Sequence, residues 1–190
     1  QGRKARGQFL TEFGAPLSEY VGRLLDHAMP PVEKCDETFA HLPKRANEPK
    51  HADFIVEGPS ATIVVECKRF AFTQHMLTRD FDPAAINARV GRIAEAFAQI
   101  ERTFRALEDR DIATQDMIGL LVVYGKFPAA NSILMWEEYR RQGTEWQVQA
   151  PENIIVLDLD EFEVLMANDS ALVEEILRHI VGTPLRAADV

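Results

Sequence analysis

Apolar residues recur at steps of three and four from Phe9 to about Ala28, with Phe13, Leu17, Tyr20, Val21, Leu24, Leu25 and Ala28 on one stripe. That period predicts an amphipathic helix, and Pro30-Pro31 ends it. Residues 32–50 are polar and rich in Lys, Glu, Asn and Pro, which predicts irregular chain. Two runs rich in β-branched residues follow, Ala52–Glu57 and Ala61–Phe70, separated by Gly58-Pro59-Ser60. A turn signal between two such runs predicts a β-hairpin. Residues 71–85 contain Pro83 and read as a loop with at most a helical turn. The helical period returns over 86–108. Ile86, Val90, Ile93, Ala94, Phe97, Ile100, Phe104 and Leu107 share a stripe, with Arg89, Arg92, Glu95, Arg102 and Arg105 on other faces. Met117–Tyr124 is almost continuously apolar, as a buried central strand requires. A helix near 131–141, a strand at Asn153–Leu157 and helices near Leu159–Ala167 and Ala171–Val181 complete the chain. The acidic residues Asp158, Asp160, Glu161 and Glu163 are predicted to cap and start the first of these last two helices. Strands alternating with helices predict an α/β sheet covered on its faces.

A chain of 190 residues supports one domain with a sizeable core and is too short for two ordinary ones. We read residues 1–8 as a basic tail or linker end and 9–185 as a single domain. No apolar stretch approaches a membrane span, and no apolar core follows the first charges as in a signal peptide. Two cysteines cannot frame a disulfide scaffold, so a reducing, cytoplasmic setting without membrane contact is expected. Gln1 and the tail residues Arg3, Lys4 and Arg6 are expected of a domain cut from a longer protein; a tag remnant or processed terminus would read the same. The net charge of −9 is unevenly spread. Residues 1–110 carry 16 Lys and Arg against 16 Asp and Glu, and residues 111–190 carry 5 against 14. Only the first part offers cations for nucleic-acid phosphates, and the acidic remainder suits a protein partner or another domain.

Chemistry concentrates between Asp53 and Lys68. Side chains alternate along a strand, so Glu66 and Lys68 share a face and Cys67 takes the other. Pairing of the hairpin that sets Asp53 beside Glu66 brings two carboxylates and an ammonium together. Such a set suits a hard cation such as Mg2+, which activates water and polarises a phosphate oxygen. A neighbouring lysine can orient that water or stabilise charge at phosphorus. The plainer alternative is an exposed charged pair on a strand. Against it, Glu66 and Lys68 end a run, Thr62 to Val65, of fully buried character, where unpaired charge is costly. No Walker A loop, GxGxxG, GxSxG or CxxC occurs, and the five histidines show no metal-ligand pair.

Asp53-Phe54-Ile55-Val56, a turn, then Ile63-Val64-Val65-Glu66-Cys67-Lys68 resembles the PD-(D/E)xK nuclease superfamily. The motif covers residues 52–70, and the element order supports it over about 10–125. His51-Ala52 stands where the superfamily usually has a Pro before the Asp. The resemblance implies an α/β, restriction-endonuclease-like three-layer core, with a central mixed β-sheet flanked by helices. It implies a Mg2+- or Mn2+-dependent endonuclease in which Asp53 and Glu66 bind metal and Lys68 is the catalytic lysine. The Cys67 backbone carbonyl is a further candidate ligand, with its thiol in the core. Glu19 matches the carboxylate of the superfamily's first helix; the alternative is an exposed Glu beside Arg23 at i+4. Gln99 is the candidate for a glutamine that many members carry after this strand, ahead of Gln74 in the loop. Glu57 is a weaker candidate because it abuts the turn. His51 and His75 read as exposed loop residues near the site, and Trp136 and Trp146 as packing or partner contacts.

The resemblance further implies nucleic acid as partner, with DNA expected because most of the superfamily acts on it, and a role as effector of a restriction or antiviral defence protein. Homodimers or higher oligomers are common in such systems. Lys44, Arg45, Lys50, Lys68, Arg69, Arg79, Arg89 and Arg92 flank the site and are candidates for tracking the backbone. The alternatives are an RNase or structure-specific nuclease with the same site, a non-catalytic interaction module of the same fold, and an α/β ligand-binding domain in which the motif is chance.

Overall fold

The computed structural model describes residues 14–41, 50–69, 83–109, 116–125, 130–142 and 151–181. Helix α1 (Gly14–Ala28) leads into a three-residue strand β1 (Val32–Lys34) and a one-turn helix α2 (Cys35–Thr38). Strands β2 (Phe54–Glu57) and β3 (Ala61–Lys68) form the predicted hairpin. Then come the long helix α3 (Pro83–Glu108), β4 (Asp116–Val123), α4 (Ile133–Gln142) and a 3-10 turn (Pro151–Asn153). Strand β5 (Ile154–Asp158) and helices α5 (Leu159–Met166) and α6 (Ser170–Ile180) follow.

The five strands form one mixed sheet in the order β1-β2-β3-β4-β5. β1, β2 and β3 are antiparallel neighbours, and β3, β4 and β5 run parallel. A parallel strand must be reached by a crossover, and α3 and α4 supply the crossovers. Residues 32–34, expected to be irregular, are a strand instead: Val32, Glu33 and Lys34 pair with Val56, Ile55 and Phe54. Three residues are too few to show a period, so only the pairing reveals them.

Each face of the sheet carries its own core. On one side α3 and α4 bury Ile93, Phe97, Ile100, Trp136 and Tyr139 against Ile55, Val64, Leu121, Val123 and Ile154. On the other, α1, α5 and α6 bury Leu17, Val21, Leu25, Phe162 and Leu177 against Phe54, Val56, Ile63, Val65 and Leu120. The molecule is therefore a three-layer α/β structure with helices on both faces. Each fully buried aliphatic side chain contributes about 1.5–3 kcal/mol by leaving water. Trp136 is a core residue; Trp146 lies outside the described residues. No described helix is long and apolar enough to cross a membrane.

Three local features hold the layers in place. Gly119 lets α3 close on β4, because a Cβ there would lie 2.7 Å from Ile100 Cγ2 and 2.8 Å from Ile154 Cγ1. Asp158 caps α5 through the Glu161 N–H, and the Glu161 carboxylate accepts the Asp158 N–H, so the acidic run starts a helix as predicted. Asn131 donates to the Val156 carbonyl and accepts its N–H, which covers part of the outer edge of β5.

Candidate active site

β3 builds the site because it is buried to its last turn. Thr62 through Val65 are buried, and Glu66 follows with only 4% of its side chain exposed. Alternation then turns Glu66 and Lys68 to the α3 face, while Cys67 packs against the opposite core. Lys68 Nζ lies 2.5 Å from Glu66 Oε1. It also donates, at 2.5 Å, to Oε1 of Gln99, a buried side chain on α3. The second Glu66 oxygen, Oε2, is buried and accepts no hydrogen bond.

Asp53 stands where the β2–β3 ladder ends. Its N–H donates to the Val65 carbonyl and its own carbonyl accepts the Cys35 N–H, both at 3.0 Å. Its Oδ2 accepts the Cys67 N–H at 2.9 Å. The carboxylate thus takes the place of the next strand's carbonyl at the open end of β3. The N–H and C=O of one strand residue point to the same neighbour, so the Cys67 carbonyl also faces the Asp53 edge. Thr103 Oγ1 accepts the Ala52 N–H and donates to the Gln99 carbonyl, both at 2.9 Å. One buried hydroxyl therefore ties the Asp53 segment to the helix turn that carries Gln99.

The electrostatics follow from this crowding. Burial, and then the charge of Asp53, push the Glu66 carboxyl up to about 8 against the opposing pull of Lys68. Burial also raises Asp53, in spite of the Cys67 N–H and the Lys68 charge. Two carboxyl groups here share one ammonium in a dry site, and the charge of Asp53 makes Glu66 harder to ionise. Burial, with Asp53 and Glu66, holds the Cys67 thiol well above its usual range, and burial likewise raises Cys35. Neither thiol is a nucleophile.

A cavity of about 590 Å³ opens beside Asp53, lined by Glu19, Gly22, Arg23, Asp26, Lys34 and Asp36 among others. Glu19 is exposed on its wall, and makes no ion pair with Arg23 among the described residues. Among those residues no three His, Cys, Asp or Glu side chains gather closely enough to hold a metal. The structure thus brings Asp53, Glu66, Lys68 and Gln99 together, and Glu19 lines the cavity beside Asp53. Glu57 is exposed opposite Thr62, at the far end of the hairpin. His51 is half-buried and stacks on Phe39 with ring centroids 4.3 Å apart, so it is not the exposed loop residue expected. Gln74, His75, Lys44, Arg45 and Arg79 lie outside the described residues. Thr103 was missed from sequence; a lone Thr on the apolar stripe of a helix gives no signal until its partner strand is placed.

No protein-family model matches the chain, and no curated protein does. What these residues can do is decided by their geometry.

Proposed function

We propose that the chain is a metal-dependent nuclease of the PD-(D/E)xK, restriction-endonuclease-like type. Glu66 Oε2 carries the reading: a buried carboxylate oxygen with no donor, beside a second, partly buried carboxylate, is a place made for a cation. The donors are hard oxygens, those of Asp53 and Glu66 with the Cys67 carbonyl on the same edge, which suits Mg2+ or Mn2+ rather than a softer metal. The mixed sheet with the pair at the end of its third strand supports the same reading. Glu19 lines the same cavity as Asp53 and is the proposed holder of a water of such an ion.

A bound divalent ion would supply Lewis acidity toward a phosphate oxygen and acidify a water. The chain's own residues do the rest. Lys68 presents N–H donors at the site, where they can orient the attacking water or stabilise charge building on the phosphate. Gln99 accepts one of those donors, and so fixes the ammonium when Glu66 is engaged elsewhere. The apolar floor of Val64 and Leu121 excludes bulk water and strengthens each of these contacts. DNA is the proposed polymer, with RNA the alternative that the same site would serve. The acidic second half is the proposed surface for a protein partner or another domain.

The test is cleavage of supercoiled plasmid, single-stranded DNA and RNA in Mg2+, Mn2+ and EDTA, by the wild type and by Lys68→Ala and Gln99→Ala. Cleavage that needs metal and falls at least about a hundredfold in Lys68→Ala is expected, with a smaller loss in Gln99→Ala. Cleavage unchanged by Lys68→Ala would overturn the assignment. So would calorimetry showing no Mn2+ binding that Glu66→Ala removes.

A further inference from the structure

The described arginines divide by what they hold. Beyond residue 110, Arg140 pairs with Glu152, Arg141 with Glu138 and Arg178 with Asp116. Arg23, Arg69, Arg89 and Arg92 hold no carboxylate among the described residues.

Their positions are not scattered. Arg69 follows Lys68 directly, and its Nε is buried without a hydrogen-bond partner. Arg23 lines the cavity that Asp53 opens into. Arg92 precedes Gln99 by seven residues, two helical turns, so both lie on one stripe of α3 about 10 Å apart. α3 runs back along β3 from Gln99: Ile100 packs on Gly119, which pairs with Val64. Lys68 lies four strand residues, about 13 Å, past Val64, and the helix covers that length in about nine residues, so the turn that carries Arg89 and Arg92 lies beside the end of β3. There Arg89 is half-buried, and its charge is disfavoured first by burial and then by the neighbouring, exposed Arg92.

From this we infer that Arg89 and Arg92 on one side of the site, and Arg23 with Arg69 on the other, grip the phosphates that flank the scissile one. Like charges kept adjacent and unneutralised cost stability unless an anion offsets them. A ligand that reaches both sides of Lys68 must carry several negative charges along its length, which is the chemistry of a nucleic-acid backbone. Screening confines each charge to roughly 8 Å at physiological salt. The acidic second half therefore does not cancel the charge of Arg89 and Arg92, while Arg23 shares its cavity with Glu19, Asp26 and Asp36. The inference rests on the nuclease reading for the position of the scissile phosphate, but its test does not require cleavage.

The test is fluorescence anisotropy with labelled duplex DNA, single-stranded DNA and RNA of one sequence, in EDTA, across a salt series. The wild type is compared with Arg89→Gln/Arg92→Gln, Arg23→Gln and the control Arg178→Gln. Each lost phosphate contact should lower the salt slope by about 0.9 on duplex or 0.7 on single strands. The double variant should thus lose just under two units of slope on duplex, about 1.8, and Arg178→Gln none. The steepest slope identifies the polymer. Circular dichroism and melting check the fold, and the single Arg92→Gln, at an exposed position, stands in if the double variant unfolds. A double variant with wild-type slope, an equal loss in Arg178→Gln, or no salt-dependent binding by the wild type would overturn the inference. Metal-dependent cleavage with unchanged binding in the double variant would leave the nuclease reading intact and remove this one.

Discussion

Replacing Glu66 by glutamine should stabilise the metal-free protein, and increasingly so as pH rises. In the folded chain Glu66 titrates at about 8, against an ordinary value of 4.5. Between those values the native state keeps the proton and the unfolded state releases it, so unfolding gains from every rise in pH. The stability linked to Glu66 is fully present below pH 4.5 and is lost as pH rises toward 8. Each pH unit is worth about 1.4 kcal/mol, so the loss over the window is on the order of 5 kcal/mol. Asp53, also raised, adds a loss of the same sign. The Glu66→Gln side chain would keep the shape and never ionise, which removes the Glu66 part of the slope. The assay is urea unfolding of wild type and Glu66→Gln at half-unit steps from about pH 5 to 9 in EDTA, repeated in about 10 mM Mg2+. Wild type should fall below Glu66→Gln above about pH 6, with the gap widest near pH 8. Saturating Mg2+ should restore the wild type, by roughly 2.7 kcal/mol at a hundred times the dissociation constant, and leave the variant unchanged. Parallel pH profiles for the two proteins would refute the reasoning, because Glu66 would then ionise in place without penalty.

Thr103→Val should cost about 1–3 kcal/mol by stranding the buried Ala52 N–H, and Thr103→Ser should recover most of it, read by chemical denaturation. Mn2+ affinity by calorimetry should follow the same order, since the hydroxyl sets how the Asp53 segment meets α3. Gly119→Ala should destabilise by about 1–3 kcal/mol, because its methyl group meets Ile100 and Ile154; a melting temperature equal to wild type would show that the helix yields freely. Asp158→Ala should cost about 1 kcal/mol in urea unfolding through loss of the α5 cap, while calorimetry shows metal binding unchanged.

Where periodicity was long, the residues were legible. The stripe Val90, Ile93, Phe97, Ile100, Phe104 is buried on α3 as its spacing requires, and the run after Met117 is a strand buried along most of its length. Asp53, Glu66 and Lys68 were readable because the charges interrupt a β-branched run that has no surface to expose them on. Gln99 was a candidate only through the resemblance, and the structure brings its Oε1 to the Lys68 ammonium. β1 was not legible, because Val32 to Lys34 is too short to show alternation and pairs with a strand well removed along the chain. His51 was misread because its ring finds Phe39, a contact that no local pattern announces.

The chain's own pattern determined the longer elements, the layering and the pair of charges at the end of β3, since period and burial are local properties. Which charges are compensated was decided only in three dimensions. Lys68 meets Gln99 across 31 positions and Thr103 meets Ala52 across 51. Arg178 finds Asp116, while Arg89 faces the like charge of Arg92. Coulomb energy and desolvation depend on distance through space and on the medium between, and neither is written in the order of residues.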